Sequence, residues 1–160
     1  MSKNNVVIVT RGGTKWKAGT PCVLCLGNFD GVHIGHQALL SEALSQKQRL
    51  KQIYPDIICG AVTFRELTHR SLSLTPTPRI TDTDEKNRLF FEMGLDVSIT
   101  LDFEDVRNMT PNEFVSDILR DRCGCVMTVC GFNFRFGAGG FGNHDTLSLL
   151  MNGNSVTVSP

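Results

Sequence analysis

The sequence predicts a doubly wound α/β domain whose parallel sheet holds about five strands. Its candidate strands are continuous apolar runs, and stretches with helical spacing of apolar residues separate them. Continuous apolar strands are typical of a sheet covered on both faces, and each parallel crossover needs a dozen or more residues. The 160 residues of the chain are enough for one such domain.

The elements follow one another in a regular order along the chain. A strand is expected where an apolar run is bounded by turn residues, and a helix where apolar residues recur three and four positions apart. The predicted strands are 6–10, 22–27, 57–64, 95–101, 125–130 and 155–159. The predicted helices are one that contains Leu39, Leu40, Ala43, Leu44 and Leu50, and three more at 84–93, 111–122 and 144–151.

Local signals mark the ends of two of these helices. Thr110, Pro111 and Glu113 supply an N-cap residue, a proline at the first helical position and a carboxylate at the third. This arrangement satisfies free amide groups reciprocally. Gly94 stands where a glycine commonly ends a helix. We therefore expect one helix to begin at Pro111 and another to end just before Gly94.

Charge and hydropathy exclude several classes of function. The 16 basic and 16 acidic side chains cancel, whereas proteins that bind nucleic acid usually carry a basic patch or stripe. No apolar run approaches the roughly 20 residues of a membrane span, and the first residues, MSKNN, lack the apolar stretch of a secretory signal. We therefore expect a cytoplasmic protein that binds neither nucleic acid nor membrane.

Six cysteines are a high number for this length, and we expect reduced thiols because most of them lie inside apolar runs. Cys22 and Cys25 have the spacing of a metal or redox motif. Alternation along a strand sends their side chains to opposite faces, and a redox motif should open a helix. His33 and His36 alone would give zinc two ligands, so a structural metal site is also disfavoured.

The loop after the 22–27 strand has the features of an anion site. Ligands of parallel sheets bind at the carboxyl ends of strands, and the free amides of the helix that follows this loop point to that edge. His33 and His36 share one face of the first helical turn, and Gly35 leaves the backbone open to a ligand. Such donors suit nucleotidyl transfer, in which negative charge builds on phosphate oxygens. The alternative is a structural or surface role for both histidines.

Two further strand ends supply hydroxyl and aromatic groups. Thr63 and Phe64 end the third predicted strand, and the segment GFNFRFG, residues 131–137, follows the fifth. Alternation in a short extended segment places its three phenylalanine rings on one side, and Asn133 and Arg135 on the other. Such a strip of rings either lines the core or forms a platform for a flat ligand.

Two phrases resemble a known enzyme family. GNFDGVHIGHQALL resembles the first signature of nucleotidyltransferases with a His-x-Gly-His motif, and the phrase from Gly27 to Gln37 resembles bacterial FAD synthetases in particular. GFNFRFG resembles the second phrase of that family. In the family's own count this phrase follows the fourth strand, and it contributes to the flavin and phosphate site. The resemblance covers residues 21–160. It implies the FMN adenylyltransferase domain of a bifunctional riboflavin kinase and FAD synthetase, with a Rossmann-like nucleotidyltransferase fold.

The resemblance also implies a reaction and a set of site residues. The reaction is transfer of AMP from ATP to FMN, giving FAD and pyrophosphate, with Mg²⁺ accompanying ATP. Catalytic roles fall to His33 and His36, and no metal ligand is assigned beyond a contact of Asn133 through water or a phosphate. The residues implied for ATP binding are Gly27, Asn28, Phe29, Asp30, Gly31, His33, Gly35 and His36. Those implied for flavin binding are Thr63, Phe64, Asn133, Phe134 and Phe136.

Some positions depart from the family pattern. The family has Pro-His-Pro soon after Thr-Phe, where this chain offers only His69, and Gly140 and Asn143 stand where an arginine and an aspartate are common. Residues 1–160 are expected to form the adenylyltransferase domain, to end before a Ser-Ser-Thr-x-x-Arg type ATP-binding signature and to lack the riboflavin kinase domain. Two alternatives therefore stay open: a flavin- or nucleotide-binding domain without turnover, and transfer to another phosphate-monoester acceptor.

Overall fold

A computed structural model describes residues 6–11, 16–17, 19–27, 29, 34–65 and 82–159 of the chain. Its strands are β1 (Val6–Thr10), β2 (Cys22–Leu26), β3 (Ile58–Arg65), β4 (Val97–Asp102), β5 (Cys125–Gly131) and β6 (Ser155–Val158). Its helices are α1 (Ile34–Leu50), α2 (Asp82–Glu92), α3 (Phe103–Val106), α4 (Pro111–Glu113) and α5 (His144–Leu150). The chain of α4 continues without a break as a π-helical segment, Phe114–Arg122.

The sheet confirms the doubly wound α/β class, contains all six predicted strand segments and is parallel except at one edge. Six strands lie in the spatial order β1-β4-β3-β2-β5-β6, and five of them are parallel. The sixth, β1, pairs antiparallel with β4 at one edge. A five-residue apolar run carries no information on strand direction, so the sequence could not separate this antiparallel edge from the parallel strands.

The strand order creates a switch point in the middle of the sheet. From β2 the chain moves outward through β3 and β4, and it then returns to place β5 on the other side of β2. The loops after β2 and β5 therefore diverge at the carboxyl ends of two neighbouring strands. In open α/β sheets the crevice between two such loops is the usual ligand site.

Apolar side chains cover both faces of the sheet. On the face packed by α1 and α2, alternate strand residues such as Val23 and Cys25 meet Leu40 of α1 and Phe90 of α2. On the other face the core includes Leu24, Leu26, Val62 and Ile99 of the strands, Phe114 and Ile118 of the π-helical segment, and Leu147 of α5. We call these the α1 face and the α5 face.

Strand β4 departs from the prediction of strands that are apolar on both sides. Its Val97, Ile99 and Leu101 lie on the α5 face, whereas the residues that alternate with them are polar and buried: Asp96, Ser98, Thr100 and Asp102. Polar partners on the α1 face explain why some of these β4 residues are polar. Ser98 Oγ donates to Asn87 Oδ1 of α2 at 2.6 Å, and Thr63 lies beside Thr100.

The helix signals are confirmed at both predicted positions. Thr110 Oγ1 accepts from Glu113 N at 3.1 Å, while Glu113 Oε1 accepts from Thr110 N at 2.9 Å. Gly94 follows α2 with φ of +107°, a conformation that favours glycine. The short helix α3, which Asp102 caps through Glu104 N, was not predicted. In the described ranges no helix combines the length and the hydrophobicity needed to cross a membrane.

Candidate active site

The loop after β2 leads directly into the start of α1. Gly27 N donates to Val62 O at 3.3 Å, which holds the beginning of the loop against β3. Helix α1 starts at Ile34, so the second histidine of the motif, His36, lies in the first helical turn, as predicted. The amides of that turn have no partners within the helix and carry the positive end of its dipole. Four predicted positions of this loop, Asn28, Asp30, Gly31 and His33, lie outside the described residues.

Phe29, one of the residues that the resemblance implies for ATP binding, directs its side chain into the core. Its side chain is fully buried on the α1 face, and its φ of +54° is left-handed. Its ring lies 5.0 Å from the imidazole of His36 and 5.2 Å from the ring of Phe90, measured between centroids. A fully buried ring offers no surface to a nucleotide, so ligand contact by Phe29 is restricted to its backbone.

At the end of β3, Thr63 and Phe64 point to opposite faces of the sheet, because neighbouring residues of a strand alternate. Thr63 is buried on the α1 face, with its Oγ1 3.5 Å from Oγ1 of Thr100. Phe64 is half-buried on the α5 face, where it meets Phe114 at 6.0 Å and Phe134 at 6.4 Å between ring centroids. Thr63 and Phe64, both implied for flavin binding, therefore lie on opposite faces of the sheet at its carboxyl edge.

The segment after β5 is a turn and not an extended strand. Phe134 N donates to Gly131 O at 3.1 Å, which closes a turn through Phe132 and Asn133. The prediction that three rings share one side is therefore wrong for Phe132, whose side chain is 50% exposed. Asn133 is exposed at the turn, and its Oδ1 lies 3.3 Å from the position that a Cβ on Gly131 would occupy.

Four aromatic rings form a continuous cluster on the α5 face. Phe134 and Phe136 stack at 5.8 Å with an angle of 16° between their planes, Phe136 meets Phe114 at 5.5 Å, and Phe64 touches both Phe134 and Phe114. Phe114 and Phe136 are buried, whereas Phe64 and Phe134 are half-buried. Both interpretations of the aromatic strip therefore apply. The buried pair, Phe114 and Phe136, lines the core, and the half-buried pair, Phe64 and Phe134, presents an aromatic surface.

A tight hairpin fixes the rest of this loop. Phe136 and Gly142 exchange two backbone hydrogen bonds, of 3.1 and 2.8 Å, and Ala138 N donates to Met109 O at 2.7 Å. Asn143 caps α5, since its Oδ1 accepts from Thr146 N at 2.9 Å. Asn and Asp are about equally effective caps, so an aspartate at this position would cap the helix about as well. Of the other two departing positions, Gly140 has a φ of +67° and His69 lies outside the described residues.

The cysteines are all free and buried, as expected. Cys22 belongs to the α5 face and Cys25 to the α1 face, which confirms that their thiols point apart. Burial raises the pKa of Cys59 and of Cys123 to about 12 and the pKa of Cys130 to about 11. Thiols with such pKa values are protonated near neutral pH and are poor nucleophiles. Among the described residues, no group of three or more potential ligands is arranged to hold a metal ion.

Sequence reasoning missed two residues that shape the site. Thr100 completes a buried hydroxyl pair with Thr63, and the alternation of polar residues in β4 was the signal that could have identified it. Phe114 supports the aromatic cluster from the first position after the capped turn. Its membership in the cluster depends on contacts with β3 and the β5 loop, which no local pattern encodes.

The fold and the site together define a doubly wound α/β domain, with a helix start and an imidazole on one side of the switch point and an aromatic turn on the other. A sequence model of the FAD synthetase family matches residues 15–160. The chain therefore belongs to the FAD synthetase family.

Individual relatives agree with this assignment. The chain is 34% identical over 120 residues to the bifunctional riboflavin kinase/FMN adenylyltransferase of Escherichia coli strain K12, which covers 74% of this chain and 37% of that protein. It is 34% identical over 146 residues to the FAD synthetase of Listeria monocytogenes, covering 89% and 56% respectively. The chain thus spans between about a third and somewhat over half of the length of these relatives.

A solved structure shares the fold. The crystal structure described as a macrolide-efflux protein from Streptococcus pneumoniae superimposes with a TM-score of 0.71 at 23% sequence identity. The match covers 94% of this chain and 49% of that one. At this identity the likeness concerns the fold alone.

Proposed function

We propose that this chain transfers AMP from ATP to FMN, producing FAD and pyrophosphate in the cytoplasm. The observation that carries the proposal is that the loops after β2 and β5 begin at the carboxyl ends of two neighbouring strands, at the switch point of the sheet. One loop leads to His36 at the start of α1, which suits phosphates, and the other supplies a polar turn and an aromatic surface, which suit a flavin phosphate. The names of the family and of its relatives support the same reaction.

The reaction needs positioning and charge stabilisation more than covalent chemistry. An oxygen of the FMN phosphate attacks the α-phosphorus of ATP, the new P–O bond forms, and the bond from the α-phosphorus to the bridging oxygen breaks to release pyrophosphate. His36 donates to phosphate oxygens as negative charge builds on them, and the free amides of the first turn of α1 act beside it. No residue forms a covalent intermediate, since holding the two substrates in line accounts for much of the rate.

The aromatic cluster gives the acceptor side its selectivity. The half-buried rings of Phe64 and Phe134 provide the apolar surface for the isoalloxazine, and Phe136 and Phe114 support them from below. The exposed amide of Asn133 lies at the same turn and contacts the flavin phosphate. An acceptor without a large flat ring would leave this surface uncovered, so the cluster favours FMN over other phosphate monoesters.

Mg²⁺ fits the donors available at this edge. It prefers oxygen ligands and commonly enters phosphate-transfer sites with one or two protein ligands and the phosphates of the substrate. The amide oxygen of Asn133 is exposed at the carboxyl edge and is a donor of the required kind. When bound, Mg²⁺ neutralises part of the charge of the triphosphate, while the chain itself orients the two phosphates.

A coupled assay tests the proposal. The chain is incubated with ATP, Mg²⁺ and FMN, FAD is separated by chromatography, and pyrophosphate release is followed in parallel. FAD and pyrophosphate in equal amounts are the expected result, with no pyrophosphate when phosphopantetheine or nicotinate mononucleotide replaces FMN. Quenching of flavin fluorescence without pyrophosphate release over hours would instead identify a binding domain without turnover.

A further inference from the structure

Phe29 combines two properties that rarely occur together in a phenylalanine. Its side chain is 0% exposed, and its backbone has a φ of +54°. A bulky side chain disfavours left-handed backbone, so a residue keeps that conformation only where its surroundings hold it there. Such positions cluster at functional sites, and Phe29 lies inside the loop that leads to His36.

Three contacts hold the ring of Phe29. The imidazole of His36 lies at 5.0 Å with an angle of 58° between the ring planes. The ring of Phe90 lies at 5.2 Å with an angle of 79°, an edge-to-face arrangement. Gly27 lies under the ring, since a Cβ placed there would be 3.2 Å from Cε2 of Phe29. The ring therefore joins the end of β2, the first turn of α1 and helix α2.

We propose that Phe29 is a positioning residue that sets the orientation of the His36 imidazole and has no contact of its own with the nucleotide through its side chain. The inference rests on the proposed function, because that function defines the task of His36. A histidine ring can donate usefully only when its nitrogen is aimed at the charge that develops, and packing by a neighbour is what locks such a rotamer. The tilted ring of Phe29 supplies that packing.

Phe90 offers a matched comparison. It is also fully buried on the α1 face and touches the same ring, and among the described rings no contact joins Phe90 to His36. Replacing either phenylalanine by leucine removes an aromatic contact and a similar volume from one core. Only the Phe29 substitution removes a ring that contacts the imidazole.

The kinetic test is a double-mutant cycle with Phe29→Leu, Phe90→Leu, His36→Ala and the pair Phe29→Leu/His36→Ala. We expect Phe29→Leu to lower kcat about tenfold and to leave the KM for ATP within about twofold. Phe90→Leu should reduce the melting temperature to a similar extent and keep kcat within about twofold. The pair should match His36→Ala alone. An equal fold-loss from Phe29→Leu in both backgrounds, or an equal loss of kcat in Phe90→Leu, would overturn the inference.

A spectroscopic test separates this inference from the proposed function. In protein labelled at histidine with ¹³C and ¹⁵N, the His36 ring signal is assigned by its loss in His36→Ala. Its ring-current shift should collapse in Phe29→Leu and persist in Phe90→Leu; an unchanged signal in Phe29→Leu refutes the contact. Phe29→Met, which keeps much of the volume, serves if the leucine variant does not fold. A wild-type chain that makes no FAD would refute the proposed function and leave this measurement interpretable.

Discussion

The two edges of the sheet treat polar groups in opposite ways. At the amino edge, Asp96 is 5% exposed and is surrounded by donors: Lys47 Nζ at 2.7 Å, Arg11 Nη2 at 3.4 Å and the amide of Cys59 at 3.0 Å. Its interactions are thus made within the chain. Every partner lies far away in sequence, so the cluster joins β1, α1, β3 and β4.

At the carboxyl edge four of the predicted site side chains keep accessible surface, while Thr63 is buried beside Thr100. His36, Phe64 and Phe134 are half-buried, and Asn133 is exposed. They lie in the first turn of α1, at the end of β3 and in the turn after β5, which is typical of binding sites carried by a rigid scaffold. The comparison teaches that a buried polar group indicates function only when its interactions are not already completed by the fold.

The largest expected effect concerns the amino edge. Asp96→Ala should lower the free energy of unfolding by about 3 kcal/mol, because it leaves the charge of Lys47 and the amide of Cys59 without their buried partner. Urea unfolding measures this, with Glu104→Ala as the control. The Glu104 pair with Arg107 is exposed and is worth at most about 1 kcal/mol. If the two substitutions cost the same, the amino edge is not the structural cluster described above.

The next effect concerns the carboxyl edge. His36→Ala should lower kcat about 100-fold, roughly 2.7 kcal/mol of transition-state stabilisation, because an oriented donor to the developing charge is lost. The free energy of unfolding should change little. Steady-state FAD formation is the measurement, and His144→Ala on α5 is the control, with activity close to that of the wild type. A His36→Ala variant within threefold of the wild type would remove His36 from the mechanism.

The buried thiols should make the stability of the folded chain depend on pH. Cysteines of the unfolded chain ionise near pH 9, whereas the folded pKa of Cys59 and of Cys123 is about 12. The unfolded state therefore loses these protons first, and stability falls as pH rises from about 9 to about 12, by about 1.4 kcal/mol per thiol at pH 10. Urea unfolding at pH 8, 9 and 10 tests this. Cys59→Val should reduce the slope of the unfolding free energy against pH by the contribution of one thiol. An unchanged slope would contradict the raised pKa of Cys59.

The smallest effect separates the two layers of the aromatic cluster. Phe134→Leu should raise the KM for FMN about fivefold, since a half-buried stacking surface is lost, and leave the KM for ATP unchanged. Phe136→Leu should mainly lower the melting temperature, because Phe136 is buried. Parallel kinetics and thermal melts of both variants decide the matter. If Phe136→Leu raised the KM for FMN more than Phe134→Leu does, Phe134 would not be the ring that faces the flavin.

Local patterns predicted much of the scaffold. Apolar runs located the strands, and Thr110 and Gly94 marked helix ends correctly, because both signals act within one turn of chain. The direction of β1 and the cluster around Asp96 were missed. Lys47 and Asp96 are 49 positions apart and Arg11 and Asp96 are 85 apart, so their contact depends on the completed tertiary structure.

The candidate site was predicted less completely than the scaffold. His36 and Asn133 lie after β2 and β5, the two strands that flank the switch point. Phe132 was misplaced because alternation applies to extended chain and the segment after β5 turns instead. The burial of Phe29 was equally hidden, since a left-handed phenylalanine violates the local preference that sequence patterns rely on.

Because all six cysteines are buried, the folded protein should react very little with thiol-directed dyes. A single new cysteine at an exposed position, such as Leu149→Cys on α5, where the leucine is 77% exposed, would then react alone in the native wild-type background. A fluorophore attached there would sit on the helix that follows the β5 loop. It would report binding at that loop without the removal of a single native sulfur atom.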